Sequence, residues 1–169
     1  MAVKYWHKHL SNISDKAKIG DGAVIHAGVH IHDEVIIGEN CKIEAGAFLP
    51  NGVTLAENVF IGPGTVFTND KAMDMSQPFK PLKTQINANV KIGANCTILP
   101  GITIGEGAKI GAGSVVVESV PPNVTVYGNP ARLKENPSRS HSAGLSTTRP
   151  RGSERDIDAG PQGPDEPHS

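Results

Sequence analysis

Aromatic residues are scarce in this chain: four Phe, two Tyr and one Trp among 169 residues. Large rings fill much of an ordinary core, so here something smaller must occupy the interior. Cysteine is almost absent too, and two residues cannot build a disulfide framework or point to an oxidising compartment. No run of about 18 apolar residues exists, which excludes a membrane-spanning helix. The opening stretch, Met1 to His7, lacks the apolar segment of a secretory signal. Charge of one sign is missing as well. A net charge of -1 leaves no basic footprint for nucleic acid or an anionic bilayer. These absences predict a soluble cytoplasmic protein with no membrane insertion, built as one domain and a tail.

What is present is a rhythm. Every sixth residue from Ile13 reads Ile13, Ile19, Ile25, Ile31, Ile37, Ile43, Leu49, Leu55 and Ile61, an aliphatic at every place. The phase resumes at Ile86 and continues through Ile92, Ile98, Ile104, Ile110 and Val116. Four residues after each member stands a small or slim side chain, among them Ala17, Ala23, Cys41, Ala47, Thr65, Cys96, Ala108 and Ser114. A six-residue period fits neither an α-helix nor a simple alternating strand. Three hexads can instead form the sides of a triangular coil, with coils stacked at the strand spacing of about 4.8 Å. The large aliphatic fills the prism, the small residue fits the corner, and Gly, Asn and Asp supply the turns. A narrow prism needs few rings. The expected fold is therefore an all-β parallel β-helix, with Cys41 and Cys96 as buried packing thiols.

The phase rule divides the chain. Residues 1–12 are expected to cap the first coil, because an open solenoid end needs covering. Three uninterrupted coils follow from Ile13, then a break over residues 67–85, then about two more coils, for about five in all. Breaks of that length in a compact repeat usually carry function. Val120-Pro121-Pro122 stops the ladder, and the domain is expected to run from 13 to 134. Residues 135–169 hold 15 Pro, Gly and Ser in 35 places, which predicts a disordered tail.

The stretch from Ile92 to Val116, with Val120-Pro-Pro and Tyr127-Gly-Asn-Pro-Ala-Arg132, resembles the hexapeptide-repeat acyltransferases. The resemblance covers Ile13 to Leu133 and implies a left-handed coil, acetyl-CoA as acyl donor without a metal, and a homotrimer with sites between neighbouring prisms. Asn58-Val-Phe-Ile-Gly-Pro-Gly-Thr-Val-Phe-Thr-Asn-Asp70 is similar, within that family, to the sugar-nucleotide N-acetyltransferases. Those enzymes acetylate an amine, often at C3 of a UDP- or dTDP-linked amino sugar, in making surface polysaccharides. Two departures stand out. After Asp70 the relatives usually continue with Tyr-Pro-Arg, where this chain has Lys71-Ala-Met-Asp-Met75; and they commonly carry His or Asn where Gly46 stands.

The expected chemistry tolerates the second departure. A neutral sugar amine attacks a thioester without a base to create the nucleophile, and the departing thiolate can accept the proton. The protein must supply placement and an oxyanion donor. Asn69 and Asp70 are candidates for holding the sugar or its amine; the alternative is an Asn-Asp turn leaving the last strand. Glu44 flanks Gly46 and is the third catalytic candidate, against a solvated turn carboxylate. Gly111, Ala112 and Gly113 present little side chain, so pantetheine can approach the backbone. Ala94 lies one coil before Ala112 and continues the groove, while Arg132, with Lys134, could meet the cofactor's phosphates.

His26, His30 and His32 cluster in the second coil. His26 and His32 fall on adjacent sides of the triangle, about 120° apart as a three-sided coil requires, so they cannot share a metal within one chain. One of them could serve as a base at a subunit interface; otherwise they are packing or exposed residues. Two other functional classes stay open: an O-acetyltransferase of a sugar or small alcohol, which would need a histidine base, and a noncatalytic β-helix scaffold.

Overall fold

In a computed structural model the described residues are 2–134; the tail expected at 135–169 lies outside them. Most strands are only two residues long, and in the regular coils the second residue is the hexad aliphatic. Each pairs in parallel with the residue one coil away: Ile25 with Ile43, Ile31 with Leu49, Ile37 with Leu55. Two-residue strands survive because the ladder runs across coils, so most backbone amides find a partner in the layer above or below.

The pairings make three faces. The first carries Lys4–Tyr5, Val24–Ile25, Lys42–Ile43, Phe60–Ile61, Lys91–Ile92, Lys109–Ile110 and Thr125–Tyr127, closed by the antiparallel Arg132–Leu133. The second stacks Asn12–Ile13, His30–Ile31, Phe48–Leu49, Val66–Phe67, Thr97–Ile98 and Val115–Val116. The third stacks Lys18–Ile19, Ile36–Ile37, Val53–Leu55, Thr84–Ile86 and Thr103–Ile104, extended by a bridge from Ile104 to Val120. The fold is an all-β parallel solenoid.

Seven parallel layers on the first face exceed the five coils expected. The additional layers come from the ends. Lys4–Tyr5 pairs with Val24–Ile25, and Thr125–Val126 with Lys109–Ile110, at offsets that break the six-residue phase. Backbone hydrogen bonding needs no side-chain rhythm, so the periodicity could not show these layers. Residues of the expected cap thus add a strand, followed by a short 3₁₀ turn at Lys8–Leu10.

The interior is as narrow as the pattern implies. Every hexad aliphatic from Ile25 on is buried, as are Cys41, Cys96, Thr65 and Ser114 in the slim places. Thr65 and Ser114 satisfy their hydroxyls on the carbonyls of Gly93 and Gly111. Burial pushes both cysteine thiols above their usual range. The interrupted segment is shorter than 67–85. Phe67 ends a strand and is wholly buried as a tenth inward member, while Thr84 already opens the next strand. Residues 68–83 leave and re-enter beside one another, tied by Leu82 N–H to the Asn69 carbonyl at 2.9 Å.

Candidate active site

Between the first and second faces each regular coil turns through three places, and these stack into one edge. The first place reads His26, Glu44, Gly62, Gly93 and Gly111; the second Ala27, Ala45, Pro63, Ala94 and Ala112; the third Gly28, Gly46, Gly64, Asn95 and Gly113. Two polar side chains stand at the lower end, and in the coils above only Pro63 and Asn95 extend beyond Cβ. A Cβ on Gly93 would lie 2.5 Å from the Ala112 nitrogen, so this edge cannot be roughened without moving the next coil. At Gly113, by contrast, the space is open.

The ladder decides which backbone groups are left for a ligand. Third-place amides donate to second-place carbonyls one coil below: Gly46 to Ala27, Gly64 to Ala45, Asn95 to Pro63 and Gly113 to Ala94, at 2.8–3.2 Å. First-place amides are taken by the face ladder, as Gly93 N–H is by the Ile110 carbonyl. The N–H groups of Ala94 and Ala112 have no ladder partner among the described residues. The structure thus stacks Ala94, Ala112 and Gly113 as the sequence suggested.

Gly111 plays a different part. Its N–H donates to Val126, its carbonyl accepts from Ser114 Oγ at 2.6 Å and Cys96 Sγ at 3.1 Å, and its missing Cβ makes room for Tyr127. Arg132 pairs opposite Tyr127, at the upper end of the same edge. Its Nη1 donates to its own neighbour's carbonyl at Ala131 (2.9 Å) and reaches Glu118 at 3.4 Å, and the side chain is exposed. Lys91 and Lys109 lie in register on the adjoining face, and Lys134 donates its amide to the Thr125 carbonyl beside them. The upper end is therefore cationic, which suits phosphate.

At the lower end Glu44 is largely buried. Its Oε1 lies 2.7 Å from Lys42 Nζ and its Oε2 3.6 Å from His26 Nδ1. The His26 ring stacks on Trp6, with centroids 5.7 Å apart and planes 8° from parallel. The His26–Glu44 pairing was legible in principle, since one coil separates the two positions. Trp6 was not, because the first layer is out of phase.

Asn69 and Asp70 sit on another edge, between the second and third faces. Asn69 Nδ2 donates to the Asn51 carbonyl at 3.2 Å, and Asp70 Oδ1 accepts from the amides of Ala72 and Met73 at 2.9 and 3.0 Å. Within one chain both fasten the start of the 68–83 segment, and the second face separates them from Glu44. Below them an open cavity of about 360 Å³ is lined by Asn12, Ser14, Ile31, His32, Asp33 and Asn51. His32 packs edge-on against Phe48 at 4.9 Å, and His30 lies 6.1 Å from the same ring. The histidines are thus divided between two edges and a face, and among the described residues no group of three His, Cys, Asp or Glu is placed to hold a metal. No helix among them is long and apolar enough to cross a membrane.

The bacterial transferase hexapeptide (six repeats) family matches residues 16–51, 34–69 and 83–117, more than half of the chain. The chain belongs to this family. No curated protein matches it in sequence. Among solved structures it is similar to a mutant of perosamine N-acetyltransferase from Caulobacter crescentus in complex with CoA and GDP-perosamine. That likeness has 26% identity and a TM-score of 0.69, covering 80% of this chain and 59% of that one. The acetyltransferase domain of PglB from Neisseria gonorrhoeae, in complex with acetyl coenzyme A, gives 25% identity and 0.68 over 79% and 58%. AntD, an N-acyltransferase from Bacillus cereus in complex with dTDP and coenzyme A, shares the fold at 24% identity and 0.65 over 79% and 77%. The chain spans little more than half the length of the first two.

Proposed function

We propose that this chain is an acetyl-CoA-dependent N-acetyltransferase whose acceptor is the amine of a nucleotide-linked amino sugar, a UDP or dTDP sugar substituted at C3, in surface polysaccharide synthesis in the cytoplasm. The observation that carries the reading is the first edge: a stack of small residues with unpaired amides at Ala94 and Ala112, cationic above and with the His26–Glu44 pair below. An extended amide chain such as pantetheine pairs with such amides, its phosphates fall among Arg132, Lys109 and Lys134, and its thioester reaches the coil of Glu44 and Gly46. The CoA complexes of the similar proteins support the donor, and their amino-sugar chemistry supports the acceptor.

Assembly as a homotrimer completes the reading. The outward residues of the second face, Asn12, His30, Phe48, Val66, Thr97 and Val115, include no Lys, Arg, Asp or Glu. A neighbour packed there would bring its Asn69 and Asp70 toward the first edge of the next chain, placing an amine-holding pair opposite the thioester.

The His26–Glu44 contact also suits a second reading, transfer to a hydroxyl, because an alcohol needs a base to become the nucleophile, whereas an amine needs one only to take its proton after attack. One experiment separates them. Thiol release from acetyl-CoA is followed with UDP- and dTDP-linked 3-amino and 4-amino sugars and with the matching hydroxyl compounds. Turnover with an amine alone is the expected result; turnover with the hydroxyl compounds alone would replace N- by O-acetylation. Calorimetry showing no acetyl-CoA binding at millimolar ligand would leave only a noncatalytic scaffold.

A further inference from the structure

We infer that His26 is the proton acceptor of this site and that Glu44 is its positioning residue, an arrangement that moves the base one coil below the turn where Gly46 lacks a side chain. The inference rests on the acyl-transfer reading above and deepens it.

Three observations converge. Glu44 Oε2 faces His26 Nδ1 at 3.6 Å, which directs Nε2 away from the carboxylate and leaves it as the ring nitrogen available to a ligand. The imidazole is held flat by Trp6, so its plane is set by packing before any substrate arrives. Glu44 is itself fixed by Lys42 at 2.7 Å, and Ser11 Oγ donates to the His26 carbonyl at 3.2 Å. The charged groups facing the ring from its neighbouring coil are therefore Glu44 and, through it, Lys42; the layer on its other side contributes Trp6.

Position along the edge agrees. Three layers separate Ala112 from Glu44, about 14 Å at the interstrand spacing. A pantetheine arm has the bond count of a peptide of about four residues and extends roughly 15 Å. With the arm's upper amides on Ala94 and Ala112, the thioester arrives at the Glu44 layer, beside the vacant side of Gly46. A Cβ at Gly46 would meet nothing nearer than the Gly64 backbone at 3.9 Å, so this layer has space for the acceptor.

The step balances without a co-reactant. The amine lone pair forms the new N–C bond at the thioester carbonyl, and the carbonyl π pair moves to oxygen. The resulting ammonium gives its proton to His26 Nε2. The oxyanion re-forms the carbonyl, the C–S bond breaks, and the leaving thiolate takes the proton back from the imidazolium. The net change is one proton moved from amine to thiol, with the histidine restored.

The test compares wild type, His26→Gln, His26→Ala and Glu44→Gln in the full chain. Acetyl-CoA binding is read by calorimetry, the His26 ring C–H signals by NMR, and kcat and KM with the amino-sugar panel. Expected are acetyl-CoA affinities within threefold of wild type in all variants and a shift of the wild-type His26 signals on adding acetyl-CoA. The kcat of His26→Gln should fall about 100-fold or more, with partial rescue of His26→Ala by added imidazole. Glu44→Gln should lower kcat about tenfold while leaving KM for acetyl-CoA unchanged. A His26→Gln kcat within threefold of wild type would overturn the inference while leaving the acyltransferase reading intact. If no acceptor in the panel turns over, His26 signals unmoved by bound acetyl-CoA overturn it equally. Absence of acetyl-CoA binding to wild type sinks the functional reading first, and this one with it.

Discussion

Ile61 has no exposed surface, and its neighbours along the prism are Ile43 below and Ile92 above. A stack one side chain wide cannot close sideways over a missing group, because each coil is held at the interstrand spacing by its ladder. Ile61→Ala should therefore leave most of its cavity open and cost about 2–5 kcal/mol, read as a lower urea midpoint. Charged surface residues behave differently. Hydrogen bonds from Lys16 Nζ at 2.7 Å and Ser14 Oγ hold the Asp33 carboxyl below its usual range, and the same contact raises Lys16. A depressed carboxylate contributes stability above its unfolded-state range and loses it as pH falls through its folded value. Asp33→Asn should lower the melting temperature at pH 7, and the difference from wild type should shrink as pH is taken down below the usual carboxylate range. Because both side chains are solvated, the effect should be small and shrink with added salt.

At the scale of the element, a turn in this fold is a junction between layers as much as a bend. Gly93 illustrates it: a side chain there drives against the Ala112 backbone, the very turn whose amide is assigned to the cofactor. Gly93→Val is expected to weaken acetyl-CoA binding at least tenfold by calorimetry and to lower thermal stability, whereas Gly113→Ala, with open space and only a positive φ to strain it, should cost about 1–2 kcal/mol. The 68–83 segment follows another logic. It contributes no inward hexad residue, and its exposed Met73, Met75 and Phe79 contrast with the polar turns elsewhere. What holds its ends is local: the Asp70 carboxylate over two amides, and Leu82 against Gly52 and Gly101.

Across the whole molecule, the three faces differ in a way that bears on assembly. The first carries an outward series of lysines, the second no charged residue, and the third a mixture. Burial of an uncharged face between copies, with the lysine face left to solvent, is the arrangement that charge favours. Light scattering coupled to gel filtration should give the mass of three 17.7 kDa chains. Phe48→Lys, in the middle of the second face, should shift the population to the single-chain mass and abolish turnover, since the proposed site then lacks its second edge.

The six-residue rhythm alone determined the prism. A strict period with one large and one slim inward place has a single economical packing, so Ile25 through Val116 could be assigned to the interior from spacing alone, and the slim cysteines with them. The same arithmetic placed Ala94 under Ala112, and the same 18-residue step separates His26 from Glu44. Tertiary structure decided what lies outside the phase. The end layers at Lys4–Tyr5 and Thr125–Tyr127 pair through backbone groups that carry no side-chain signature. Trp6 reaches His26 only because that first layer slips its register, and Gly111 proves to be a spacer for Tyr127 because the closing strand folds back antiparallel. Periodic side chains encode repeated contacts; contacts made once, between segments joined by backbone hydrogen bonds, become visible only when the chain is wound.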